Sequence, residues 1–155
     1  MKKVLIAIDY SPLAQQVAEQ GHALALAFGA KATILHVIDD AYNYTTTVYD
    51  PIMGFAGFSQ RDYDATIQID TIEEEAMVYL HKIKLYLKDT TLETLIIKGS
   101  IAETILDTAK NTNSDYIVMG TNNRSGIAEF LLGSTAHTML QRSHIPLFII
   151  PSHHE

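Results

Sequence analysis

Apolar positions along this chain follow two alternating rhythms. Residues 3–8 (KVLIAI), 32–38 (ATILHVI), 92–97 (LETLII), 115–119 (DYIVM) and 145–150 (IPLFII) are short, nearly all-apolar runs. Such runs are the mark of strands covered on both faces in a parallel sheet. Between them, apolar residues recur at three- and four-residue steps. Leu13, Val17, Gly21, Leu24 and Phe28 lead up to Gly29, and Ser11 with Pro12 reads as an N-cap followed by proline at the first helical position. Ile72, Ala76, Leu80, Ile83 and Leu87 predict a second helix. Ser100 and Glu103 form a capping-box pattern around Ile101, Ile105 and Ala109, and residues 131–140 predict a fourth helix. The order βαβ, loop, αβαβαβ predicts an α/β fold, a three-layer αβα sandwich with a five-stranded parallel sheet and right-handed crossovers. In the strand order usual for such sheets, 3-2-1-4-5, the end of strand one lies beside the end of strand four. Asp9 and Gly120 would then face each other across the crevice where ligands bind.

Residues 40–65 break the rhythm. They carry Tyr42, Tyr44, Tyr49 and Tyr63, three consecutive threonines, Pro51, Gly54 and Gly57, with no sustained period, and are expected to form a long loop or insertion. Composition narrows the remaining choices. At 155 residues and 47 % hydrophobic, residues 1–155 fit one domain with its own core. The absence of cysteine removes disulfides, a thiol nucleophile and a zinc–thiolate site, and fits a reducing, cytoplasmic setting. Lys2 and Lys3 precede only the apolar residues 4–8, too short for a signal-peptide core, and no run approaches membrane-spanning length. With 18 acids against 11 bases the formal charge is -7, and Lys and Arg form no cluster. Neither nucleic acid nor a membrane is therefore an expected partner. Any anionic ligand must be held locally, by aimed backbone groups.

One stretch has the chemistry for that. Gly120-Thr-Asn-Asn-Arg-Ser-Gly126 follows strand four, and Gly133-Ser134-Thr135 opens the next helix. Glycines let a backbone approach an anion, the Ser134 and Thr135 hydroxyls can donate, and the helix start directs its positive end to the same place. Neither the P-loop nor the dinucleotide glycine fingerprint is present. The seven histidines are scattered through different elements, apart from His153 and His154 at the terminus, so no catalytic or metal role is assigned to them. A phosphoacceptor receiver domain would want an acidic cluster after strand one and an Asp ending strand three. This chain has a single acid there and Lys98-Gly99.

The run at residues 119–136, MGTNNRSGIAEFLLGSTA, resembles the nucleotide motif of the universal stress protein family: Gly, two residues, Gly, nine residues, Gly, then Ser or Thr. Strand one ending in Asp9 with Ser11, the turn at Gly99 and the terminal IPLFII strand resemble the same family. The resemblance implies a Rossmann-like, adenine nucleotide alpha hydrolase-like fold that binds ATP, ADP or AMP as a stress-response sensor or regulator. Gly120 takes the place of the first motif glycine, Gly133 the third and Ser134 the hydroxyl. Asn123 stands where the family has its second glycine, and asparagine is the residue after glycine most tolerant of positive φ. By the same resemblance Asp9 would accept from a ribose hydroxyl or the adenine amino group, the Val37 backbone would read the adenine edge, and Ala7 and Met119 would form apolar wall. Ser11, Asn122, Arg124 and Thr135 complete the expected binding set. Magnesium would be held through the phosphates, and residues 145–150 would pair two copies into a homodimer as an edge strand. Three readings stay open: a nucleotide-binding sensor acting on an unknown downstream protein, a slow ATP hydrolase or phosphotransfer enzyme, and a dimeric interaction protein that uses no nucleotide.

Overall fold

The computed structural model describes residues 1–40, 72–121 and 132–152. Most of the predicted loop, residues 41–65, lies outside them. In chain order the elements are β1 (Lys3–Ile8), α1 (Ala14–Ala27), β2 (Lys31–Asp39), α2 (Ile72–Leu87), β3 (Glu93–Gly99), α3 (Ile101–Asn111), β4 (Tyr116–Gly120), α4 (Ser134–Arg142) and β5 (Leu147–Ile150). The five strands form one parallel sheet in the order β3-β2-β1-β4-β5, the order expected as the usual one for such sheets. Alternation along the strands divides the core in two. Val4, Ile6, Ile8, Ile34 and Val118 face α1 and α2, while Leu5, Ala7, Leu35, Ile117 and Met119 face α3 and α4. Helix α1 lies close on β1 because Gly21 carries no Cβ, which would come within 2.9 Å of the Ile6 side chain.

Two predicted helix starts take a different form. Helix α1 begins at Ala14, preceded by a turn in which the Ala14 N–H donates to the Ser11 carbonyl at 3.0 Å. The cap of that turn is Asp9, whose Oδ1 accepts the Ser11 N–H at 2.9 Å, so the Ser11 side chain is not the cap the pattern predicts. Helix α3 does start after Ser100, but no side-chain cap bond forms there. Glu103 instead reaches α4, accepting from Arg142 at 3.3 Å, which leaves the capping box unmade. Strand β5 starts two residues later than the apolar run suggests. Ser143 accounts for this: its hydroxyl donates to the Ile145 carbonyl at 2.7 Å and accepts the Ile145 N–H at 3.1 Å, holding that residue in the preceding turn.

Helices α1, α2 and α3 end alike. In each, the residue that follows a left-handed residue just past the helix bonds back across five residues, Ala30 to Ala25, Asp89 to Lys84 and Ser114 to Ala109. The left-handed residues are Gly29 at φ 57°, Lys88 at φ 53° and Asn113 at φ 54°. Glycine and asparagine suit the position, whereas an exposed lysine is strained there. Lys88→Gly should therefore raise stability by about 1 kcal/mol, read as a higher urea midpoint at unchanged slope.

Candidate functional site

The sheet changes winding direction between β1 and β4. Crossovers from β1 run toward β3 over one face and those from β3 return toward β5 over the other, so no helix closes the gap at the carboxyl ends of these two strands. A cleft of about 560 Å3, open to solvent, lies there.

Seven of the residues singled out from sequence line this cleft: Ala7, Asp9, Ser11, Val37, Met119, Gly120 and Thr135. Asp9 stands one residue past β1, level with the end of β4, since Ile6 pairs with Val118. Gly120 serves packing in a way its motif position does not announce. A Cβ there would lie 2.7 Å from Leu13 Cδ2 and 3.1 Å from Val17 Cγ2, so the glycine lets the start of α1 sit against the end of β4.

Gly133 and Ser134 stand at the start of α4 without lining the cleft. The Gly133 N–H donates to the Thr121 carbonyl at 2.9 Å, joining the two ends of the 122–131 segment, and is committed to that bond. Gly133 has φ -60°, open to any residue. The first intrahelical bond runs from the His137 N–H to the Gly133 carbonyl at 2.9 Å. The N–H groups of Ser134, Thr135 and Ala136 consequently have no partner within the helix and point out of its positive end. Asn122, Asn123 and Arg124 lie outside the described residues.

Several residues without a functional role in the sequence reading complete the site. Ile8, Leu13, Ala14, Val17, Leu35, Ile101 and Ile105 also line the cleft, making its walls mainly apolar. Nothing in their spacing distinguishes them from ordinary core positions. Thr121 ties three segments together: its N–H donates to Ile150 at 3.0 Å, its hydroxyl accepts the Ser152 N–H at 3.3 Å, and its carbonyl takes Gly133. Behind the cleft, His36 Nδ1 bonds the Ile8 carbonyl at 3.1 Å and the Tyr79 hydroxyl donates to the Asp9 carbonyl at 2.9 Å. His36 did leave a trace in the sequence, as the one ionisable residue inside the apolar run ATILHVI. His22 contacts Asp89 at 2.8 Å, away from the cleft. Hydrogen bonds from Thr91 first, and then from His22, hold the Asp89 carboxyl down at about 2. Among the described residues, no three His, Asp or Glu side chains gather where they could hold a metal ion. No helix among them is long and apolar enough to cross a membrane.

The universal stress protein family model matches residues 1–151. The chain belongs to the universal stress protein family. It is 25 % identical over 153 residues to universal stress protein MJ0577 of Methanocaldococcus jannaschii, covering 96 % of this chain and 94 % of that one. The structure of MJ0577 superposes with a TM-score of 0.70 at 24 % identity, covering 99 % of this chain and 98 % of that one. Universal stress protein UspA from Lactobacillus plantarum gives 0.69 at 24 % identity, with 96 % and 97 % covered. A universal stress protein solved in complex with cAMP gives 0.66 at 18 % identity, with 97 % and 96 % covered. In this universal stress protein Asp9, just past β1, and Thr135, in the first turn of α4, line the same cleft.

Burial lowers the pKa of His36 from its ordinary value of 6.5, opposed by its bond to Ile8 and by the charge of Asp9. The folded chain therefore binds fewer protons at His36 than the unfolded chain does. Stability from this source is complete above about pH 6.5 and is lost as pH falls toward the depressed folded value. In His36→Asn a side-chain amide replaces the Nδ1 donor and does not titrate. Urea midpoints between pH 8 and pH 5.5 should fall less steeply in this variant than in the natural protein.

Proposed function

We propose that this universal stress protein binds an adenine nucleotide, ATP, ADP or AMP, in the cleft between β1 and β4 and acts as a sensor or regulator. The observation that carries this reading is one apolar cleft bordered by Asp9 on one side and Thr135, in the first turn of α4, on the other. The walls supply apolar contact for a base from Ala7, Val37, Met119 and Ile101. A carboxylate at Asp9 suits a ribose hydroxyl or the adenine amino group. The first-turn N–H groups of α4, with the Ser134 and Thr135 hydroxyls, suit phosphate oxygens. Asn122, Asn123 and Arg124 belong to the same motif and are assigned to the phosphates. Magnesium would ride on those phosphates, with no protein cluster of its own. A family member solved with cAMP lends support, since cAMP is itself an adenine nucleotide.

Thermal unfolding with ATP, ADP and AMP tests the reading. A nucleotide at 100 times its Kd adds about 2.7 kcal/mol, several degrees in midpoint for a domain of this size. No shift at millimolar concentrations of all three would overturn it in favour of a nucleotide-independent interaction protein. Asp9→Ala should lower the shift.

Strand β5 is the basis for a homodimer within the same proposal. It sits at the sheet edge, all four of its residues are apolar, and each is only half-buried. An open apolar edge is an association hazard unless covered, and pairing two copies would cover it. Sedimentation at micromolar protein should give a dimer, and a charge placed in the strand by Ile149→Lys should shift it toward monomer. A monomer in the natural protein at that concentration would count against the pairing.

A further inference from the structure

The backbone leaving β1 is held from the face of the sheet opposite α3 and α4. The ladder between β1 and β4 stops at Ile6 and Val118, and β1 itself ends at Ile8. Past that point two carbonyls are caught by buried side chains: Ile8 by His36 Nδ1 at 3.1 Å and Asp9 by the Tyr79 hydroxyl at 2.9 Å. Both side chains are deep, His36 at 4 % exposure and Tyr79 at 3 %. The Tyr10 ring packs against both, with centroids 4.4 Å from His36 and 4.9 Å from Tyr79. Burying an imidazole and a phenol is costly unless their polar atoms are used, and leucine or phenylalanine would fill the same space without that requirement. Here both polar atoms converge on consecutive carbonyls of one short turn. On its other side the turn is pinned by its own carboxylate, where Asp9 Oδ1 accepts the Ser11 N–H at 2.9 Å. A carboxylate has two oxygens and about four acceptor sites, so this bond fixes its rotation while leaving capacity for a ligand.

We propose that Tyr79 and His36, neither of which lines the cleft, are positioning residues for nucleotide binding that act through Asp9. They hold the 8–9 backbone so that the Asp9 carboxylate meets the ligand already aimed. This inference rests on the adenine-nucleotide reading of the cleft. A tyrosine buried only for the core would influence stability alone. A positioning tyrosine influences affinity, and only while Asp9 is present to be positioned.

The test is a double-mutant cycle on the full-length chain, with ATP and AMP affinities measured separately by calorimetry. Tyr79→Phe, which keeps the ring and removes the hydroxyl, should weaken binding roughly fivefold in the natural background and less than about twofold beside Asp9→Ala. His36→Leu should weaken binding comparably, and His36→Asn, which keeps a donor toward Ile8, should restore most of it. Should Tyr79→Phe fold poorly, the His36 pair still decides the question. Unchanged affinity in both Tyr79→Phe and His36→Leu overturns the proposal, as does an equal loss with and without Asp9. If the natural protein binds neither nucleotide at millimolar concentration, the reading of the cleft falls and the positioning role falls with it. If the natural protein binds and only the cycle fails, the nucleotide reading stands.

Discussion

The reversal of winding between β1 and β4 is the constraint on which the rest depends. Right-handed crossovers oblige α1 and α2 to cover one face and α3 and α4 the other. Two helices that leave adjacent strands in opposite directions cannot both cap the strand ends, so a cleft opens there. Its floor depends on how closely α1 approaches β4. Gly120 sets that distance, because any side chain at that position would press on Leu13 and Val17. The same residue serves as strand end, packing contact and first glycine of the motif. These roles are compatible because the missing Cβ is on the α1 side while the backbone borders the cleft.

Charge shapes how such a cleft would handle an anion. The chain carries a formal charge of -7, so its long-range field offers a phosphate no attraction. What favours one is local: three first-turn N–H groups of α4 without helical partners, beside two hydroxyls. These dipoles are aimed by the backbone and need no side-chain ordering. Thr121 and Gly133 brace the point from which they emerge, joining the ends of the 122–131 segment to the tail of β5. The nucleotide motif and the edge strand therefore share a residue, although they are 26 positions apart when counted from Thr121 to Leu147.

Much of the fold was legible in the chain because its signals are local. An apolar run of five or six residues declares a strand buried on both faces, and a three-to-four-residue period declares the helix that covers it. Gly29 after α1 declares its stop, while Lys88 gives no such signal because lysine has no preference for the left-handed conformation it adopts. Caps proved less legible. Ser11 and Ser100 occupy the right places, yet Asp9 and Arg142 decide which bonds form there, and no local pattern contains those partners.

By itself, the sequence determined the five strands and the helices between them, since short-range periodicity and turn residues mark each, while the strand order that puts Asp9 beside Gly120 was the one usual for such sheets and was decided by the tertiary structure. Tertiary structure alone decided what stands behind Asp9. His36 and Tyr79 lie 27 and 70 positions from it along the chain and meet it only after β2 has paired with β1 and α2 has packed across them. Tertiary structure also decided that Gly133 spends its N–H on Thr121, leaving the next three groups to face outward. The physical reason is the same in both cases. Hydrophobic periodicity is written into neighbouring residues, whereas a hydrogen bond goes to whichever partner the completed packing brings within reach.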